Sequence, residues 1–483
     1  MNKQVYNPYL PSFEYIPDGE PYVFDDRLYI YGSHDRFKGT TYCENDYVCW
    51  SAPVNDLSDW KYEGVIYKKS AHPEDDIHKR TCLYAPDVVQ GADGRYYMYY
   101  SMSESSIMSV AVCDTPAGVY KYYGDVVDRD GKPVGYFAGD YIQFDPSIFI
   151  DDNGRIYLYS GFAPMADKDK EGRRQLGCHV SELEPDMLTV KHGPKLLISK
   201  DWKKEEGAAY FEAPSMRKIN GRYFLVYSAK VTGLFYYYSD FPDRDFVFGG
   251  RIHSTSDVGI NGHSVDFPAY PLGNIHGGIV CINGQYYIFD HRHTNHSSYS
   301  RQGVAEPIYF DENGMIAQVE ATSCGLNGGA LKGKGIYPAY IACNLFYEKE
   351  VTEEERLACI TQDIADVDDV EAFIGIHTEV ANAPVGYIHN IGDRCIIGYK
   401  YFEVNEPIKK ITLTLRGHAN GILTIALAEN ADASTNVGDI LLEMNTDSWQ
   451  NVVVPTNVPC GKTALFLKYS GKGTFDMLKF ELR

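Results

Sequence analysis

Five ionisable side chains stand upstream of five similar hairpins, and their types are those of acid–base chemistry. Asp18 lies nine residues before Arg27, Asp87 eight before Arg95, Asp145 ten before Arg155, Glu212 ten before Arg222 and His276 nine before Gln285. Carboxylates gathered at close range repel one another and lose hydration, so a cluster of them is not explained by stability. Such clusters belong to metal sites or to proton transfer. The local contexts differ: Ile16-Pro17-Asp18-Gly19-Glu20, Phe144-Asp145-Pro146-Ser147 and Phe211-Glu212-Ala213-Pro214-Ser215. Unlike surroundings push pKa values apart, which is what an acid and a base sharing one site need. A ring that only binds calcium is the alternative, because carboxylates are hard ligands.

The elements that must bring these residues together are legible as a repeat. Asp25-Asp26-Arg27, Asp93-Gly94-Arg95, Asn153-Gly154-Arg155, Asn220-Gly221-Arg222 and Asn283-Gly284-Gln285 each lead into a run of alternating aromatic and aliphatic residues. The residues after the turns, at 27, 95, 155, 222 and 285, are 68, 60, 67 and 63 apart. Asn-Gly and Asp-Gly between apolar runs are strong hairpin signals. Five units of about 65 residues with room for four strands each predict a five-bladed β-propeller over 1–324. A β-sandwich with coincidental hairpins is the competing arrangement. In a propeller the first strand of each blade lines the central channel, so the five ionisable residues form a ring about the axis.

The period ends near Ser323. Residues 325–357 read as a Gly- and Lys-rich linker with a short helix over 338–350. Strict alternation in Thr412-Leu413-Thr414-Leu415 and Thr424-Ile425-Ala426-Leu427 marks half-buried antiparallel strands, so 358–483 is expected to form a β-sandwich of jelly-roll type. The fold class is therefore all-β.

Composition limits the partners. The chain has 483 residues, 45 Lys+Arg against 66 Asp+Glu, and a net charge of -21, so it repels phosphate backbones and nucleic acid is not expected. No apolar run reaches the length of a membrane span. The first residues, Met1-Asn2-Lys3-Gln4-Val5-Tyr6, carry no hydrophobic signal core, and 11 scattered cysteines show no paired spacing, so a cytoplasmic location is expected. The 40 tyrosines suit both short strands and sugar-stacking surfaces.

Pro17-Asp18-Gly19, Ala85-Pro86-Asp87, Asp145-Pro146-Ser147 and Glu212-Ala213-Pro214, in this order on five blades, resemble glycoside hydrolase family 43. The resemblance covers about residues 5–325 and implies inverting hydrolysis of pentose-containing polysaccharides. It implies Asp18 as general base, Asp145 as the carboxylate that tunes and orients the acid, and Glu212 as general acid. The chemistry agrees with these types. A glycosidic oxygen leaves poorly unless protonated, so the acid must hold its proton near neutral pH. The base must be ionised, to activate water on the opposite face. Inversion places the two carboxyls about 6.5–9.5 Å apart.

The resemblance further implies that Arg292, in Asp290-His291-Arg292-His293, contacts the bound sugar beside the acid, and makes Phe37 a candidate sugar platform. It also suggests that His276 holds a central cation, Ca2+, through water; a histidine hydrogen-bonded in the channel wall is the other reading. No cofactor is required for the chemistry. Asp87 is either a substrate or supporting carboxylate or the acceptor of a blade-closing hydrogen bond. Strand alternation turns Phe144 and Phe211 away from the channel, toward packing between blades. His291, His293 and His296 lack zinc-ligand spacing and suit a solvated loop at the pocket rim. The C-terminal segment resembles carbohydrate-binding module family 6, on Gly386-Tyr387-Ile388, Asp393 to Tyr399, Trp449 and Leu465 to Phe480, with Tyr387 a candidate sugar contact. The expected activity is release of a terminal α-L-arabinofuranose or β-D-xylose from hemicellulose oligosaccharides. Endo-arabinanase action and a calcium-dependent lectin-like propeller are the alternatives.

Overall fold

The computed structural model describes residues 3–73, 82–202, 207–363, 385–430 and 434–483. Four blades are four-stranded antiparallel sheets: Glu20–Phe24, Arg27–Tyr31, Tyr47–Pro53 and Lys61–Tyr67 (β1–β4); Asp87–Gln90, Tyr96–Tyr100, Ser109–Cys113 and Lys121–Asp125 (β5–β8); Ser147–Ile150, Ile156–Ser160, Gly177–Leu183 and Val190–Ser199 (β9–β12); and Glu212–Ile219, Arg222–Ala229, Gly233–Ser239 and Val247–His253 (β13–β16). The fifth, Ile279–Ile282, Gln285–Thr294 and Ser297–Ile308 (β17–β19), has three strands instead of the expected four.

The repeat turns behave as their residues dictate. Asn220 and Gly221 have φ 52° and 81°, and Asn283 and Gly284 have φ 51° and 85°, the left-handed pair that a two-residue hairpin needs. Side chains alternating across each sheet pack against the neighbouring blade. Tyr31 and Tyr47 meet Val88 and Met98; Tyr99 and Val110 meet Ile148 and Leu158; Tyr157 and Tyr159 meet Met216 and Leu225; Phe224 and Val226 meet Ile279 and Ile288. Ring closure is the fifth such cluster, where Ile16, Leu28 and Trp50 meet Ile282 and Phe289. The open edge of β19 is covered by the N-terminal segment. The Asn7 amide donates to Ala305 O (2.9 Å) and accepts from Ala305 N (3.0 Å), doing for β19 what a fourth strand would do.

After a short 3-10 turn at Gly325–Asn327, nine strands form one hydrogen-bonded sheet about a single apolar core: Leu331–Lys332, Gly335–Pro338, Asn344–Tyr347, Cys359–Gln362, Gly386–Ile391, Cys395–Val404, Ile408–Ala426, Asn436–Val458 and Gly461–Leu482 (β20–β28). The expected strands are present, but the sheet begins at Leu331, inside the stretch read as a linker. The expected helix over 338–350 is a 3-10 turn, Ala339–Ile341, followed by β22. The carbonyls of Tyr340, in this turn, and Ala342, just after it, serve contacts described below.

The two domains are fastened by buried polar contacts. Lys400 Nζ lies 2.8 Å from Asp257 and 3.0 Å from Glu320, and Asn344 Nδ2 donates to Asp257 at 3.0 Å. No helix among the described residues is long and apolar enough to cross a membrane.

Candidate active site

The first strands of the blades converge on a pocket of about 560 Å³ at one end of the channel, lined by Asp18, Asp145, Glu212 and His276 among others. Asp18 and Asp145 each stand two residues ahead of a strand, with φ 59° and 49°. Ala213, after Glu212, has φ 61°, and a bulge separates Glu212 from Ser215 in the pairing of β13 with β14. These left-handed residues bend the chain at the channel mouth and aim the carboxyls into the pocket. Strained backbone of this kind persists only where surrounding structure holds it.

The bends also break strand alternation. Phe144 and Phe211, expected between blades, line the pocket with Phe162 and Tyr84. Ring centroids run 5.8 Å from Tyr84 to Phe144, 5.1 Å from Phe144 to Phe162 and 5.2 Å from Phe162 to Phe211, one continuous aromatic wall.

Asp87 is not at this level. It is the first residue of β5, as Glu20 is of β1, whereas Asp18 and Asp145 lie two residues before their strands and Glu212, first in β13, is separated from the regular pairing by a bulge. By the two-residue pleat it faces the channel one step deeper. Its carboxylate accepts from Tyr22 OH (2.7 Å) and from Ile148 N (2.7 Å) of the next blade. Of the two readings, the blade-closing one fits, and Asp87 does not line the pocket; Ala85 does. The shorter offset of eight residues from Arg95 was the signal in the sequence.

Arg292 is also displaced. On β18 it faces away from His291 and His293, and its guanidinium donates to Ala342 O and Tyr340 O, both at 2.6 Å, in the C-terminal domain. The arginine in the pocket is Arg301, opposite His293 in the β18–β19 pairing. Sequence reasoning missed it. The signal available was a lone cation in an otherwise uncharged strand start, Ser297-Ser298-Tyr299-Ser300-Arg301, which burial obliges to pair. Phe37 is buried against Tyr15, with centroids 5.6 Å apart, and does not line the pocket. The aromatic that this loop supplies to the pocket is Tyr42, whose ring lies 4.9 Å from the Arg301 guanidinium.

Arg301 organises the electrostatics. It donates to both oxygens of Asp35 (2.8 and 2.9 Å) and reaches Asp18 at 3.1 and 3.3 Å. The Asp18 backbone N–H donates to His291 Nδ1 at 3.1 Å, so the other ring nitrogen carries the proton given to Asn274 O at 2.9 Å. Burial pushes the Asp18 carboxyl up, but Arg301, with His291 and His276, outweighs it and holds the group at about 2. Glu212 goes the other way. Burial and the Asp18 charge push it up to about 8, against the pull of Arg301. Burial and the charges of Glu212 and Asp18 raise Asp145 as well. Asp145 and Glu212 thus cannot both ionise at neutral pH, and the pair keeps a proton. Glu212 is the partly exposed member and Asp145 the buried one, so a proton on Glu212 is the one within reach of a ligand in the pocket.

His276 lies with Nδ1 3.7 Å from Asp145 and Nε2 4.0 Å from Glu20. Both His276 Nε2 and Glu20 Oε1 are buried without a hydrogen-bond partner. No group of three or more His, Cys, Asp or Glu among the described residues is arranged to hold a metal ion. His291 and His293 stand on strand β18 instead of the solvated loop expected, with ring centroids 6.0 Å apart and His293 bonding Asn274 Oδ1 at 2.8 Å, while His296 bonds Leu357 O at 2.9 Å.

A carboxylate held ionised and a carboxylic acid held protonated, facing one pocket of a β-propeller, are the working parts of a glycoside hydrolase. The chain belongs to the glycosyl hydrolases family 43, whose model matches residues 7–316. It is 44% identical to a xylosidase/arabinosidase of Thermoclostridium stercorarium across 100% of this chain and 99% of that protein. It is 27% identical to xylosidase/arabinosidase 43A of Humicola insolens, over 62% of this chain and 96% of the relative. In fold it is similar to a β-xylosidase/α-arabinofuranosidase from a compost metagenome, with TM-score 0.52, 24% identity, and 66% and 98% of the two chains covered. It is likewise similar to an arabinoxylan arabinofuranohydrolase from Bacillus subtilis, with TM-score 0.51, 16% identity, and 99% and 97% covered.

Proposed function

We propose that this glycoside hydrolase removes terminal pentose, α-L-arabinofuranose or β-D-xylose, from hemicellulose oligosaccharides with inversion. The observation that carries the mechanism is the opposite displacement of two carboxyls at one pocket, Asp18 at about 2 and Glu212 at about 8. In this scheme Glu212 gives its proton to the leaving oxygen while Asp18 takes one from water on the other face of the sugar. Burial and the Asp18 charge keep Glu212 protonated, Asp145 shares the proton of that pair, and Arg301 keeps Asp18 ionised. The pentose reading is supported by the 44% identical relative, named a xylosidase/arabinosidase, over the full length of both proteins. Exo action suits a pocket of about 560 Å³, the size of a small-ligand site.

No step of this scheme draws on a cofactor. A hydrated Ca2+ in the channel would be held by His276 Nε2 and Glu20 Oε1, the two unpartnered buried atoms there, and would add positive charge behind Asp145. All 11 cysteines are free thiols, which supports a reducing compartment.

The test is a panel of nitrophenyl glycosides with and without chelator, with the anomer of the first product followed by NMR. Turnover of pentosides with inverted product is expected. Turnover of hexosides only, or a retained anomer, overturns the reading.

A further inference from the structure

The fifth blade and the C-terminal domain leave a hollow of about 700 Å³ between them, larger than the catalytic pocket and sharing no residue with it. Asn261, Tyr401 and Lys462 also line a second hollow of about 550 Å³, so the two form one groove along the domain junction. We propose that this groove is an accessory binding site for a neutral polysaccharide chain, resting on the reading above that the substrate is a glycan.

The groove carries the two kinds of group that hold sugars. One is aromatic surface. Tyr309 is 59% exposed at the rim, and its ring meets no other ring among the described residues. Tyr401 is fixed as a second face: its hydroxyl donates to Glu320 at 2.6 Å and Lys462 Nζ sits 4.3 Å from its ring. The other is amide. Gln285 and Gln318 spend their N–H groups on backbone carbonyls, Tyr286 O and Ile308 O for Gln285 and Val258 O for Gln318. Their Oε1 atoms accept from no protein donor among the described residues. These acceptors, with the Asn261 amide and Glu320, suit sugar hydroxyls, which donate as well as accept.

The charge pattern narrows the ligand. Lys400 is buried and already paired with Asp257 and Glu320, and Lys462 lies over Tyr401. With Glu320 and Glu429 along the same walls, no concentration of positive charge is left for a phosphate or sulfate polymer. A neutral chain with hydroxyls and apolar ring faces fits what remains. Because the groove spans two domains, the C-terminal domain contributes here as one wall. Its own Tyr387 is closed off, buried, bonded to Asp363 at 2.7 Å and packed against Trp449 and Arg416.

The test uses the full chain in affinity gel electrophoresis through soluble arabinoxylan, with arabinan and β-glucan gels alongside and nitrophenyl pentoside turnover measured in parallel. Wild type should be retarded on at least one of these neutral glycans. The Tyr309→Ala/Gln318→Ala variant, which removes an aromatic face and an amide acceptor together, should lose about fivefold or more of that association. Its turnover of the small pentosides should be unchanged, which also shows that it folds. Tyr309→Phe should keep the association. No retardation of wild type on any of the gels, or equal retardation of the double variant, overturns the groove. So does retardation abolished by saturating xylose and arabinose, because binding would then lie in the catalytic pocket. Tyr309-dependent retardation without pentoside turnover upholds the groove and overturns the pentosidase reading instead.

Discussion

Replacing Arg301 should move the pH profile and not merely lower it. Its guanidinium lies 3.1 Å from Asp18, and both groups are buried. At that distance, with an effective dielectric near 20, a unit charge pair is worth ~5 kcal/mol. Measured shifts beside a cation are smaller, about 1–3 units, because burial and solvent relaxation offset part of the attraction. Removing the cation should therefore raise Asp18 from about 2 to somewhere near 3–5. The acid limb of kcat/KM reports the base in the free enzyme. In wild type that limb should lie below the range where the fold survives, so the profile is flat down to about pH 4. In Arg301→Gln a limb should appear between about pH 3 and 5. Arg301→Lys keeps a charge without the fork to Asp35, so it should lose turnover with the limb still low. Stripping Arg301 leaves Asp35 buried and unpaired, which can cost about 3–5 kcal/mol of stability. The Arg301→Gln/Asp35→Asn double variant removes both charges of that pair and preserves the measurement. A folded Arg301→Gln enzyme with an unshifted acid limb would refute the assignment of Asp18 as base, or of Arg301 as the group that sets it.

Four further outcomes follow from the same charges and packing. Glu212→Gln should slow natural oligosaccharides by about 10²–10⁴-fold, leave substrates with acidic phenol leaving groups much less affected, and erase the basic limb near 8; equal losses on both substrate types would count against Glu212 as acid. The same substitution should stabilise the fold at pH 7–8 in denaturant titrations and lose that advantage at pH 4. The raised folded pKa means the native state keeps a proton that the unfolded chain releases as pH climbs from about 4.5 toward 8, so ionisable Glu212 weakens the native state across that window. Asp18→Asn should abolish turnover of every glycoside whatever its leaving group, with partial rescue by azide, and activity near wild type would place the base elsewhere. Gly278→Ala should lower the melting temperature, because its Cβ would stand 2.3 Å from Glu20 Oε2 and 2.7 Å from Ser215 Oγ; overpacking of this kind costs about 1–3 kcal/mol.

The propeller was legible because its signal is local and repeated. Asn-Gly and Asp-Gly turns dictate hairpins wherever they stand, and five copies at near-equal spacing leave few other architectures. What the repeat could not show is how the ring closes. The fifth blade stops at three strands because Asn7, some 300 residues away in sequence, supplies the missing pairing with one side chain. Nothing in Asn7-Pro8 marks it for that task. The segment 338–350 failed for a related reason. Its apolar spacing is compatible with a helix, but Asn344–Tyr347 pairs with β25, and the sheet partner decided the outcome over local propensity.

At the site, legibility divides by how each residue is positioned. Asp18, Asp145 and Glu212 were found because a strand start fixes them relative to a recognisable turn. Phe144 and Phe211 were turned the wrong way because alternation is a rule for extended backbone, and the left-handed residues at Asp18, Asp145 and Ala213 suspend it where the carboxyls need to be aimed. Arg292 and Arg301 were exchanged because only the register of β18 against β19 says which faces the channel. That exchange matters more than a misplaced contact. Three carboxyls in one pocket are chemically equivalent until something makes them unequal, and proximity alone raises all of them. Arg301, placed against Asp18 and tied to Asp35 from behind, lowers Asp18 while Asp145 and Glu212 stay high. In the proposed scheme the division into base and acid therefore resides less in the carboxyls than in where β19 sets Arg301.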